Sequence, residues 1–171
     1  MSSDKFISKL RKLKMKVVFG EVEFSISRDK LKEFKKSNQF KIYKKHYQGE
    51  VITGSTVLLI YDMLLRDPVD IDILDARSRD TDIVRGEYPS DFPDGYRGSV
   101  KHQIGRIFKD FIYVDLFEPK TDGHTEIDGI KFDNVLNVLK SKIRLIERTP
   151  SITQRNKHIN DISHIFTKFD I

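Results

Sequence analysis

Three aspartates and a glycine–serine corner are the residues of this chain whose types and spacing fit chemistry. Asp70 and Asp72 alternate with Val69, Ile71 and Ile73 over residues 69–74, the period-two pattern of a strand. Alternate side chains of a strand share a face, so both carboxylates project from one side. Two such groups repel, and one pKa rises unless a cation lies between them. Mg²⁺, held by one or two carboxylates plus substrate phosphates, is the usual answer. Ahead of the pair, Val51-Ile52-Thr53 runs into Gly54-Ser55. An apolar stretch at helix length, residues 56–65, follows and is broken by Arg66-Asp67-Pro68, because proline disfavours helix in the residue before it. A strand-to-helix corner presents free backbone N–H groups at the positive end of a helix dipole. Such a corner cradles phosphate, and glycine lets the phosphate approach the backbone closely. Asp-Ile-Asp alone is common on solvated sheet faces. Its conjunction with the corner points to metal-dependent chemistry on a nucleotide.

The third aspartate interrupts an apolar run. Residues 99–108 and 111–117 read as two strands around Lys109-Asp110, a hairpin signal. The second is apolar enough to be central, yet it carries Asp115. A buried carboxylate is expensive without a partner, so Asp115 either joins a charged site or ends the strand and caps a turn, with Glu118 as a nearby substitute.

The order Gly-Ser turn, helix, Asp-x-Asp strand resembles the DNA polymerase β-type nucleotidyltransferase superfamily. Gly54-Ser55-Thr56 followed by Arg66-x-x-x-Asp70-Ile71-Asp72 is most similar to the AbiEii/MenT-type nucleotidyltransferases of toxin–antitoxin and phage-defence systems. Pro68 stands where that family usually has Ser or Thr, and the spacer is slightly longer. The resemblance extends to a lysine-bearing helix, an arginine, and a Lys-Asp/His-x-x-Asp-Leu helix, an order that Lys142, Arg148, Lys157 and Asp161 fit. It covers residues 54–162 and leaves the N-terminal part uncovered. It implies that Asp70, Asp72 and Asp115 hold two Mg²⁺ ions, with Mn²⁺ as a substitute. It implies too that Gly54 and Ser55 take the β- and γ-phosphates of an NTP, and that Arg66, Lys142 or Lys157 neutralises developing charge. In similar proteins the acceptor is a tRNA 3′ end or a protein hydroxyl, and a cognate toxin or antitoxin is the expected protein partner.

Composition sets the outer bounds. The chain has 171 residues, 38% of them hydrophobic and 33% charged, and no cysteine. Disulfides, thiolate metal sites and a cysteine nucleophile are therefore excluded. No apolar run reaches the ~20 residues of a bilayer span, and the first residues lack the apolar core of a secretory signal. These features fit a cytoplasmic protein. The net charge of +5 suits a polyanionic partner such as RNA, or a triphosphate. The five histidines form no His-x-x-x-His pair, so a zinc site is not expected.

The remaining segments frame the site. Ser3 or Asp4 caps a first helix with Phe6, Ile7, Leu10 and Leu13 on one face and Lys9, Arg11, Lys12 and Lys14 on the other, read as a docked amphipathic helix in preference to a nucleic-acid-facing one. Residues 16–19 and 22–26 read as β-like runs about Gly20. Ser27 caps a helix over residues 28–36. Residues 40–47 interleave Lys41, Lys44 and Lys45 with Tyr43, His46 and Tyr47, which fits either base stacking or a half-buried helix with snorkelling lysines. Residues 77–98 are loop-like. Arg77, Arg79, Arg85 and Arg97 there either bind phosphate or pair with neighbouring aspartates. Residues 123–126 and Asp128-Gly129 read as turns, 127–132 as a short strand, and Asp133 or Asn134 as the cap of the next helix. A last helix runs from 153 to about 166. The expected architecture is an α/β, mixed-sheet nucleotidyltransferase fold. A basic segment at 1–50 packs on a core at 51–132, and C-terminal helices at 133–171 complete one compact unit. A metal-dependent nucleotidyltransferase acting on RNA, with protein hydroxyls second, is the leading expectation. A non-catalytic RNA- or partner-binding module is the alternative; a two-metal phosphodiesterase makes poorer use of the Gly-Ser turn.

Overall fold

The computed structural model describes residues 2–74, 103–117, 123–148 and 152–171. Three helices come first: α1 (Ser3–Val18), α2 (Arg28–Lys35) and α3 (Asn38–His46). Each begins at a serine whose hydroxyl accepts a first-turn N–H: Ser2 from Lys5, Ser27 from Lys30 and Ser37 from Phe40. This is the N-cap arrangement that satisfies an otherwise orphaned donor. The cap of α1 is Ser2, one residue ahead of the expected position. Helix α1 also runs on through residues 16–18, where β-structure was expected. Leu10, Leu13 and Val17 are buried along one face, so helical period overrides the local β-propensity. Residues 21–27 form no strand. Val22, Phe24 and Ile26 pack against the core as an extended segment, fixed where the Ser27 N–H donates to the Ile60 carbonyl. The lysine-bearing aromatics of α3 turn inward: Tyr43 and the following Tyr47 are buried. That favours the half-buried helix over a stacking surface.

A six-stranded mixed sheet, with helices packed against it and a C-terminal helical pair, forms the rest of this α/β fold. Its strands are β1 (Val51–Thr53), β2 (Ile71–Leu74), β3 (Gln103–Lys109), β4 (Ile112–Phe117), β5 (His124–Ile127) and β6 (Ile130–Asp133). The order across the sheet is β3-β4-β2-β1-β6-β5. Pairings β1–β6 and β2–β4 are parallel, the other three antiparallel. Ile52, Ile71, Ile73, Val114, Leu116 and Phe132 share one face through these registers, and all are fully buried. Residues 127–132 are not one strand. Asp128 and Gly129 both adopt positive φ and close a two-residue hairpin, the preferred use of an Asp-Gly pair.

Helix α4 (Ser55–Ile60) follows β1 and is shorter than its apolar run. Asp62 takes a left-handed φ of 56°, Met63 N–H donates to Leu58 and Asp62 N–H to Leu59. This Schellman closure ends the helix while Met63 and Leu64 continue into the core. Strand β2 likewise begins at Ile71, two residues later than expected, leaving Val69 exposed. Helices α5 (Val135–Arg148) and α6 (Ile152–Lys168) complete the chain. Asn134 caps α5, its side-chain oxygen accepting the Leu136 N–H at 2.9 Å. One hydrophobic core runs from Leu10 of α1 to Phe166 of α6. Among the described residues no helix is long and apolar enough to cross a membrane. Residues 77–98 and Glu118 lie outside the described residues.

Candidate active site on the sheet face

Strand register gathers the polar residues of the sheet into one row. Asp72 of β2 stands opposite Asp115 of β4 and, on its other side, opposite Thr53 of β1. Side chains of register partners project from the same face. Neighbouring strands lie only about 4.8 Å apart, so the two carboxylates are immediate neighbours. The row continues outward. The Thr53 hydroxyl donates to Asp133 Oδ2 of β6 at 2.7 Å, and His124 of β5 is the register partner of Asp133. On the far side Arg106 of β3 occupies the register position opposite Asp115. The register thus lines up one polar position from each strand, and in β2 and β4 the residues flanking it are buried in the core. Asp70 precedes β2 and is half-buried. Extending the Ile71–Val114 register by one step brings it level with Tyr113.

The Gly54 corner abuts this row. Its backbone has φ 71° and ψ −146°, a conformation accessible essentially to glycine. A Cβ there would overlap Asp72 Oδ2, so backbone and carboxylate are in direct contact and no side chain fits between them. Ser55, the first residue of α4, is half-buried beside the corner. Glycine at position 54 therefore serves both the turn and the close approach of Asp72.

A second polar cluster lies among the helices. Asp161 of α6 accepts a two-pronged contact from Arg66, at 3.0 Å from Nε and 2.9 Å from a terminal nitrogen. It also accepts from Lys142 Nζ of α5 at 2.5 Å. Lys142 lies 3.0 Å from His158 Nδ1. Burial pushes the Lys142 ammonium down to about 8, against the upward pull of Asp161. Burial, then the charges of Lys142 and Lys157, push His158 down to about 3. The imidazole is therefore neutral at pH 7, with Nδ1 free to accept from Lys142. Burial alone raises the Asp161 pKa, but Arg66 and Lys142 outweigh it and hold the carboxyl below its ordinary value. Arg66 and Lys142, expected as phosphate ligands, are thus both engaged with Asp161. Lys157 is half-buried on α6 and adds positive charge to the cluster.

Two residues here were not among the expected site residues. Asp133 was read only as a helix cap; it does receive the Asn134 N–H at 2.8 Å, but its other oxygen is committed to the row. His158 lies three positions before Asp161, a spacing that puts both on one helix face, and that signal was legible. Among the described residues no group of three or more His, Asp or Glu side chains is placed to hold a metal ion. Asp72 and Asp115 remain as a register-paired couple of carboxylates. Comparison with family models, curated proteins and solved structures gives no match.

Proposed function

We propose that the protein is a metal-dependent nucleotidyltransferase that moves NMP from an NTP to an acceptor hydroxyl, with an RNA or tRNA 3′ end as the preferred acceptor. The observation that carries this reading is the contact of the glycine-only corner at Gly54 with Asp72, itself register-paired with Asp115. Two carboxylates in register on neighbouring strands are suited to share a divalent cation. Asp72 and Asp115 would hold the divalent ions, with Asp70 at the entrance to β2 as the third carboxylate. When bound, two Mg²⁺ ions stabilise charge on both the attacking and leaving oxygens of an in-line displacement. Asp115 accepts the proton of the acceptor hydroxyl. Gly54 would offer its backbone, and Ser55 its hydroxyl, to the β- and γ-phosphates. Lys157, Arg66 or Lys142 would supply positive charge as pyrophosphate departs. Resemblance to the AbiEii/MenT-type enzymes adds the expectation of a toxin–antitoxin or phage-defence role with a cognate protein partner.

The test is to incubate the protein with Mg²⁺, each α-labelled NTP and total tRNA. Label on RNA is the expected result, with loss of at least about 100-fold in Asp72→Asn, the scale of removing one preorganised electrostatic group. Label on the protein fraction moves the acceptor to a protein hydroxyl. No transfer with any NTP rejects the enzymatic reading in favour of a binding module.

A further inference from the structure

The β3–β4 hairpin that carries Asp115 ends in an exposed aromatic cluster. Phe111 is 91% exposed and Phe108 52%. Their rings meet edge-on at 6.3 Å, and Phe108 lies 4.9 Å from Tyr113. Register fixes where these rings stand. Phe108 and Tyr113 are cross-strand partners, and Tyr113 is two residues before Asp115, so it shares the face of the acidic row. Along a strand, residues on one face are about 7 Å apart. The rings therefore begin one step from Asp115, level with Asp70, and lead outward to the hairpin tip. The tip itself is unfavourable for the fold. Asp110 and Phe111 both have positive φ, 46° and 67°, the geometry of a two-residue turn that favours Asn-Gly. A bulky aromatic at positive φ is an outlier, and Phe111 gains almost no burial in return.

From this geometry we infer that the Phe108–Phe111–Tyr113 cluster is a stacking platform for the unpaired end of a single-stranded RNA, which it feeds toward Asp115. The inference rests on the nucleotidyl-transfer reading and names the part of the molecule that takes the acceptor. Exposed aromatic faces match the chemistry of unpaired bases, and stacking tolerates any base; Lys109 at the tip is offset by Asp110, so the rings carry the contact and the net charge of +5 favours a polyanion only over the whole chain. A second protein fits less well. Fully buried aromatics bring roughly 150–250 Å² each, so three partly exposed rings on a convex tip fall short of the roughly 800 Å² per partner of a stable interface.

Fluorescence anisotropy of a labelled mixed-sequence single-stranded RNA, with the full chain and neither Mg²⁺ nor NTP, tests this directly. Binding is expected, weaker for the same sequence as duplex, and reduced roughly 5- to 100-fold by Phe108→Ala or by Phe111→Gly, the range for losing one stacked base. Phe111→Gly should keep or raise the Tm, because glycine accepts the turn; a ring that served only folding would lower it. Asp72→Asn should bind RNA like the wild type while losing transfer. Unchanged RNA affinity in both ring variants overturns the platform. So does a homodimer, seen by sedimentation, that dissociates on Phe111→Gly. Transfer to protein hydroxyls with no RNA binding overturns the platform and leaves the enzyme standing. Ring-dependent RNA binding with no transfer from any NTP supports the platform and rejects the chemistry.

Discussion

The molecule assembles charge in two opposite ways. On the sheet face, Asp72 and Asp115 are placed side by side by backbone register, with Asp70 close by. Among the helices, Arg66, Lys142 and Asp161 close on one another within hydrogen-bond distance, with neutral His158 as a further acceptor. The helical cluster brings two cations onto one carboxylate and ties the stretch before Asp70 to α5 and α6. The sheet row instead sets two carboxylates side by side, with Arg106 of β3 at the register position on the far side of Asp115. One region crosses opposite signs within a hydrogen-bonded knot of side chains; the other repeats one sign across a strand pair, the arrangement proposed above to take a divalent cation.

Breaking the helical cluster should give the largest stability effect. Asp161→Ala leaves Lys142 buried without its anion and should destabilise the fold by about 3–5 kcal/mol, read by urea unfolding. Replacing both as Asp161→Leu with Lys142→Met should recover much of that loss, since apolar substitution of a whole buried pair is often tolerated. If the double variant regains stability but not nucleotidyl transfer, the cluster serves the reaction as well as the fold.

Gly54→Ala attacks the row instead. The backbone conformation alone costs about 1–3 kcal/mol for a residue with a side chain, and the new methyl displaces the Asp72 carboxylate. Transfer should fall further than stability does. Equal losses in the two assays would make Gly54 a folding residue only.

The pH response should separate the regions as well. His158 has a folded pKa of about 3 against an ordinary 6.5. Between those values the unfolded chain binds a proton that the folded chain refuses, so stability should fall as pH drops below 6.5. His158→Gln keeps an acceptor for Lys142 and should flatten that acid limb. The depressed Lys142 works in the same direction at higher pH: from about 8 to 10.5 the unfolded chain holds the extra proton, and stability rises with pH. Asp161, also held low, contributes stability that is lost as pH falls through its folded value. A smaller calibration comes from a site in neither region. Ser27→Ala removes the cap that accepts the Lys30 N–H and should cost about 1 kcal/mol without altering transfer or the acid limb.

The sheet face was largely legible because strand periodicity is local. Asp-Ile-Asp fixed which side chains share a face, and the single charge in an apolar run singled out Asp115. The partnership of Asp72 with Asp115 was not local; it depends on β2 and β4 pairing across the residues between them. Helix ends were less legible. Nothing in the apolar run through Leu65 announces that Asp62 adopts a left-handed conformation and that Met63 and Leu64 enter the core outside a helix. The β-propensity of residues 16–19 lost to the longer helical stripe of α1. The helical cluster was foreshadowed only as an order of residues; that Asp161 engages both Arg66 and Lys142 follows from the packing of α5 and α6 against the stretch after α4.

The most direct test of the acidic row is binding of Mn²⁺ together with a non-hydrolysable NTP, followed by electron paramagnetic resonance in the wild type, Asp72→Asn and Asp115→Asn. Nucleotide-dependent Mn²⁺ binding is expected, weakened at least about tenfold by each substitution, in variants whose far-UV circular dichroism matches the wild type. Equal Mn²⁺ affinity in all three proteins would contradict it.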